Sequence, residues 1–137
     1  MDIKNLSEKA KEFGIWVHIF NKKLFLTIAD NMTEHENILF MTKGHDLKTS
    51  YKYPVIITDR AVYVAKYATL YGRLKNWVIP IDYITRIFMA KAILFYAVVI
   101  SIEGDALVIT RLPKRKADKI MEILTELRNR IDPKINS

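Results

Sequence analysis

The sequence predicts a mainly β protein of the α+β kind. About seven short strands form a sandwich or small barrel, preceded by a helical zone and followed by one amphipathic helix. Three observations predict it. Between Thr33 and Thr110, short apolar runs follow one another at close spacing with turn residues between them, as successive antiparallel strands do. Near the C-terminal end, Ile120, Ile123, Leu124, Leu127 and Ile131 recur at helical spacing. The 137 residues, half of them hydrophobic, suffice for one sizeable core and are short for two.

The elements follow in order. "NLSEKAKEF" reads as a polar helix with Leu6, Ala10 and Phe13 on one side. After Gly14, Val17, Phe20, Leu24 and Ile28 recur at helical spacing, and Ile15, Trp16, Ile19, Phe25 and Leu26 widen the stripe. A second helix is expected there; two strands, Ile15 to Phe20 and Leu24 to Ile28 around "NKK", are the competing reading. "NILFM" is a short strand closed by "KGHD". "YPVIIT" and "AVYVAKY" flank Asp59-Arg60, and "KNWVIP" follows the loop "TLYGR". Pro80, lacking a backbone donor, ends that strand. "YITRIFMAKAILFYAVVISI" holds two strands folded near Ala90-Lys91-Ala92, then "EGD" turns the chain into "ALVIT". In "PKRKADKIMEILTELRNRI", Pro113 suits a first-turn position and Pro133 lies just past the helix end. A helix with one apolar face most simply plugs the open end of a barrel.

Composition excludes some chemistry. Without cysteine there are no disulfides or thiolate metal sites. The opening "MDIKNLSEKAKEF" mixes charges where a secretory leader runs apolar. The apolar stretch Ile87 to Ile102 carries Lys91 and is shorter than the roughly 20 residues of a spanning helix. A soluble, cytoplasmic protein is expected. The net charge of +7 is concentrated: Met41 to Lys91 holds nine Lys or Arg against three Asp, and Arg111 to Lys119 holds five against Asp118. Such an excess favours anionic partners without choosing among them.

The order of "TEHENILFM", "VIITDRAVYV", "VIPIDYITRI" and "ALVITRLPKRKADKIMEIL" resembles the bacterial pleckstrin-homology (PH)-like family, related to GRAM modules. The matching features are Glu36 and Ile38 at the opening, Thr58-Asp59-Arg60 after an apolar strand, Ile79, Pro80 and Ile84, and the final helix. The resemblance spans about Thr33 to Ile131. It implies a seven-stranded, partly open barrel of two packed antiparallel sheets, capped by the C-terminal helix. On this division residues 1–32 are a helical extension, 33–131 the PH-like domain and 132–137 a short tail. The resemblance makes Thr58-Asp59-Arg60 a hairpin turn fixed by the Thr and Asp side chains, not a catalytic dyad.

Little in the chain points to catalysis. It has no Gly-rich phosphate loop, and His18, His35 and His45 lack metal-ligand spacing. His45-Asp46 reads as loop polarity, and Glu34 and Glu36 as an N-terminal boundary. No enzyme activity, cofactor or metal is expected.

Two basic clusters are candidate anion- or lipid-binding sites. Lys43, Lys48 and Lys52 lie across the first hairpin loop, where the resemblance implies head-group binding. The lipid pattern of Lys, a gap, then Lys or Arg, any residue and Arg is not kept, since no Arg follows Lys52. Lys114, Arg115 and Lys116 occupy the first turn of the last helix, where backbone N–H groups also attract anions. Tyr51, Tyr53, Tyr63, Tyr67 and Tyr71 interleave with Lys52 and Lys66, but strand alternation assigns most of them to the core, so nucleic acid is not an expected partner. Trp16 and Trp77 read as core or interface anchors. The apolar surplus at Trp16, Phe20, Leu24 and Ile28 marks an expected contact with another subunit or protein. The expected function is a non-enzymatic interaction or oligomerisation module; weak contact with anionic membranes is the alternative.

Overall fold

A computed structural model describes residues 1–68 and 72–131. Tyr71 and the expected tail at 132–137 lie outside them. The chain divides into two compact units, Met1–Val78 and Ile79–Ser137.

The first unit opens with helix α1 (Ile3–Glu12). Asp2 caps it, its carboxylate accepting from the Lys4 N–H at 2.9 Å. The helix closes on Gly14, whose φ of +75° suits a residue without Cβ. There the Gly14 N–H donates to the Lys11 carbonyl and the Ile15 N–H to that of Ala10, both at 3.0 Å, a Schellman closure. Ile15 and Ala10 enter the same buried cluster.

The second helix, α2 (Lys22–Asn31), starts five residues later than the Val17–Ile28 periodicity suggests. Asn21 is the reason. Its side-chain oxygen accepts from the His18 N–H at 2.8 Å and its amide donates to the Trp16 carbonyl at 3.0 Å. These bonds offer residues 16–18 an alternative to helix. The strand pair is not found either.

The first sheet is antiparallel, in the order β1 (Ile38–His45), β2 (Lys52–Thr58), β3 (Ala61–Tyr67), β4 (Leu74–Pro80). Met41 pairs with Ile56 and Ile56 with Tyr63. These three, with Ala61 and Ala65, share a core with Leu6, Ala10, Leu24, Phe25, Ile28 and Ala29 of the two helices. Burying Phe25, Leu24 and Ile28 stabilises the unit by about 1.5–3 kcal/mol each. The helical zone is thus one face of the unit's core. Leu24 and Ile28, expected to meet another subunit, are corrected to this place: β2 and β3 are apolar on both faces, and the helices cover one of them.

The Val55–Tyr67 stretch is a hairpin, with Val55 opposite Val64 and Ile57 opposite Val62. Asp59 and Arg60 form its turn. The Thr58 hydroxyl accepts from the Arg60 and Ala61 N–H groups, each at 3.1 Å. Asp59 accepts from the Asn37 N–H at 3.0 Å, and its own N–H donates to the Asn37 carbonyl.

The second unit carries one 3₁₀ turn (Ile81–Tyr83) and a sheet in the order β5 (Arg86–Lys91), β6 (Tyr96–Ile102), β7 (Asp105–Leu112). The apolar stretch from Ile87 to Ile102 is therefore a hairpin. Its turn falls two residues beyond the expected point, with the Ala92 N–H donating to the Phe95 carbonyl at 2.8 Å. Among the described residues no helix is long and apolar enough to cross a membrane.

The last helix, α3 (Lys114–Ile131), buries Ala117, Ile120, Ile123, Leu124 and Leu127 and contacts β5, β6 and the 3₁₀ turn. Pro113 stands just before it rather than in its first turn. The Pro113 carbonyl accepts from the Lys116 and Ala117 N–H groups at 3.0 Å. Ile131, expected in the buried stripe, is exposed at the helix end. Arg128 instead ties this end down, donating to the Thr85 carbonyl at 3.1 Å.

Candidate functional site

The loop that Asn21 holds does not pack down. Ile19 and Phe20 are 85% and 81% exposed. They stand on the rim of a groove of about 940 Å³ within the first unit, large enough for several side chains of a ligand. The β1–β2 end of the sheet also lines it, with Lys43, Tyr51, Lys52, Tyr53, Pro54 and Tyr67.

The β1–β2 loop adds Ser50 and Tyr51 to the lining as one wall, and Asp46 organises it. Its carboxylate accepts from the Thr49 N–H at 2.9 Å, the Thr49 hydroxyl at 3.0 Å and the Lys48 N–H at 3.2 Å. It also pairs with Lys66 at 3.1 Å. Burial pushes the Asp46 carboxyl up, but these donors and the Lys66 charge outweigh it and hold the group down at about 2. The Lys66 ammonium also lies 5.3 Å from the Tyr53 ring centroid and 5.4 Å from that of Trp77. The Tyr53 ring in turn covers Gly44, opposite it in the register, where any Cβ would overlap the ring. The Tyr51 and Tyr67 rings meet edge to face at 6.4 Å.

Beneath the β2–β3 turn lies a buried carboxylate, Glu36. One of its oxygens accepts from the Tyr63 hydroxyl at 2.6 Å and the Thr58 hydroxyl at 2.8 Å; the other accepts from the Thr33 N–H at 2.7 Å. Burial raises the Glu36 carboxyl, yet these donors together bring it below its ordinary value. Burial, together with the Glu36 carboxylate beside it, pushes the Tyr63 hydroxyl far up. This cluster is satisfied internally and joins strand to turn.

The sequence-predicted residues separate accordingly. Lys43 and Lys52 come together on the groove, and exposed Lys23 joins them. Lys48 is exposed on the loop between them, outside the lining. Lys114, Arg115 and Lys116 belong to the second unit. Of the four positions expected at a subunit contact, Phe20 lines the groove and Trp16 is exposed nearby in sequence, with the Lys11 ammonium 5.7 Å from its ring centroid. Leu24 also touches the groove, from its buried position. Of the tyrosines, Tyr53 and Tyr63 are core and Tyr51 is exposed; Trp77 is half-buried. Ile19, Lys23 and Tyr51 were not singled out as groove residues. The usable signal was Asn21, a helix-capping residue type directly after exposed apolar positions. Among the described residues no group of three or more His, Asp or Glu is placed to hold a metal ion.

The fold is similar to that of two solved proteins. One is a DUF1696-family protein with a pleckstrin-homology domain from Shewanella loihica PV-4, at TM-score 0.55 and 14% identity, covering 79% of this chain and 92% of that one. The other is a pleckstrin homology domain from Shewanella amazonensis SB2B, at TM-score 0.53 and 13% identity, covering 81% and 90%. No curated protein matches the chain. The family model described as the bacterial PH domain matches residues 32–126, which takes in every strand among the described residues and most of α3. The two antiparallel sheets and final helix are therefore a PH-like fold, and the chain belongs to the bacterial PH domain family.

Proposed function

We propose that the chain is a non-enzymatic interaction module that receives a segment of another protein in the groove of its first unit. The observation that carries this reading is the exposure of Ile19 and Phe20 on the groove rim. Leaving two large apolar side chains in water forgoes about 1.5–3 kcal/mol each, which a docked partner recovers. Lys23, Lys43 and Lys52 around the same groove favour a segment that combines carboxylates with bulky apolar side chains. The satisfied ion pair of Asp46 and Lys66 keeps one wall in place, so little ordering cost falls on binding.

Selection from a random peptide library on the immobilised chain tests the reading. Recovered peptides should be rich in Asp, Glu and large apolar residues, and Phe20→Asp should abolish their retention. Peptides without that composition, or retention indifferent to Phe20, would contradict it. Self-association is the second reading, favoured by the exposure of both Trp16 and Phe20. Light scattering of the purified chain decides it, since a mass above one 16.0 kDa chain that Phe20→Asp lowers would place a second copy in this role.

A further inference from the structure

His18 lines the groove with its ring in a state that one bond dictates. Nδ1 of the imidazole accepts from the Phe20 N–H at 3.2 Å. A ring nitrogen that accepts carries no proton, so the imidazole is neutral and holds its proton on Nε2. The ring also meets the Phe20 ring edge to face, with centroids 5.9 Å apart. The rim residue Phe20 is therefore tied to His18 through both main chain and side chain.

The backbone bonds of His18 do not depend on its charge. Its N–H donates to the Asn21 side chain at 2.8 Å, and its carbonyl accepts from the Asn21 and Lys22 N–H groups at 3.1 and 2.8 Å. What a proton changes is the grip on Phe20. A proton on Nδ1 sets a donor against the Phe20 N–H and breaks that bond. The charged groups on the elements around the groove are Lys22 and Lys23 of α2, Lys43 of β1 and Lys52 of β2. Lys11 of α1 sits at the Trp16 ring, and Asp46 of the β1–β2 loop is bound to Lys66. Among the described residues no carboxylate lines the groove, so an imidazolium finds no partner there and turns to water. His45 differs, because its Nε2 donates to the Ser50 carbonyl, which either charge state can do.

We propose that His18 is a proton-sensitive latch on the groove rim. The neutral ring fixes Phe20 where it receives a ligand, and the imidazolium releases it. Imidazoles ordinarily gain their charge between about pH 8 and pH 5, which sets the window of the switch. The groove then holds its partner at neutral pH and lets go in mild acid. The imidazolium adds a cation near an acidic ligand, but an exposed ion pair contributes less than burial of the Phe20 ring. The effect on binding rests on the function proposed for the groove; the motion of Phe20 does not.

Nuclear magnetic resonance of the full chain without ligand tests the latch. Ring nitrogen shifts should place the His18 proton on Nε2 at about pH 7.5. Lowering the pH to about 5.5 should reduce the exchange protection of the Phe20 amide, corrected for its intrinsic rate, at least about threefold as the His18 ring titrates. His18→Asn keeps an oxygen within reach of the N–H two residues on and does not titrate, so protection there should be the same at both pH values. His18→Ala should lack it at both, and His45→Gln should keep the response of the native chain. Thermal melting checks that each variant folds. In a second arm, affinity for a soluble Glu- and Leu-rich peptide should fall about threefold or more over the same range in the native chain and stay level in His18→Asn. A neutral ring protonated on Nδ1, Phe20 protection indifferent to pH, an undiminished response in His18→Asn, or a peptide affinity that rises in acid would each overturn the proposal. Absence of peptide binding at either pH would count against the groove function, and the ligand-free spectra would still decide the latch.

Discussion

The Tyr63 hydroxyl donates to Oε1 of Glu36 at 2.6 Å, joining residues 27 positions apart. This bond fastens the segment before β1 to β3, and the Thr58 hydroxyl reaches the same oxygen from the end of β2. Glu36 is held below its ordinary value of 4.5, so its ionised form favours the folded state. That contribution is complete above about pH 4.5 and is lost as pH falls from there through the lower folded value. Glu36→Gln should cost about 2 kcal/mol at pH 7 in urea denaturation. The gap should narrow below pH 4.5, whereas a constant gap would mean that the charge is immaterial.

Two buried threonines should respond in opposite directions. The Thr58 hydroxyl bonds Glu36 and two N–H groups of the turn, whereas that of Thr42 has no partner among the described residues. Thr58→Val should destabilise by about 2 kcal/mol or more, leaving buried donors and a carboxylate unmatched. Thr42→Val should stabilise by about 1 kcal/mol by removing an unpaired hydroxyl. Equal melting shifts in the two variants would contradict these environments.

Gly44 lies under the Tyr53 ring, and Gly44→Ala should cost about 1–3 kcal/mol through overpacking. The paired change Gly44→Ala with Tyr53→Leu should recover part of that loss, because the ring is the obstacle. No recovery would place the strain in the strand itself.

Asp46 gives the groove wall its own pH response. With its carboxyl lowered from 3.8 to about 2, the stability it adds is present above 3.8 and lost as pH falls toward 2. Its contribution at pH 7 is on the order of 1–2 kcal/mol. Asp46→Ala should remove it and speed amide exchange at Thr49 and Ser50, leaving the α3 amides unchanged. Uniform acceleration over the whole chain would instead signal global unfolding.

The hairpin at Val55–Tyr67 was legible because its information is local: two apolar runs and a Thr-Asp-Arg turn. The start of α2 was not, since the periodicity of Val17 and Phe20 competes with Asn21 bonds that only a folded loop makes. The destination of Leu24 and Ile28 was partly readable. Ile56, Tyr63 and Ala65 are apolar on the strand face opposite Val55 and Val64, and a sheet apolar on both faces needs a cover on both. Lys43 and Lys52 were found through the family pattern, but their meeting with Ile19 and Phe20 depends on where α2 packs. The apolar hairpin tip at Ile93 and Leu94 was hidden inside a run that reads equally well as continuous strand.

The groove is the centre of the functional account, and backbone amide shifts during titration with a soluble Glu- and Leu-rich peptide test it most directly. The account predicts saturable shifts at residues 18–24, at Lys43, at residues 51–53 and at Tyr67, with affinity falling about tenfold or more in a Lys43→Glu, Lys52→Glu variant that keeps its fold. Shifts confined to other residues, or an affinity unchanged by both charge reversals, would contradict it.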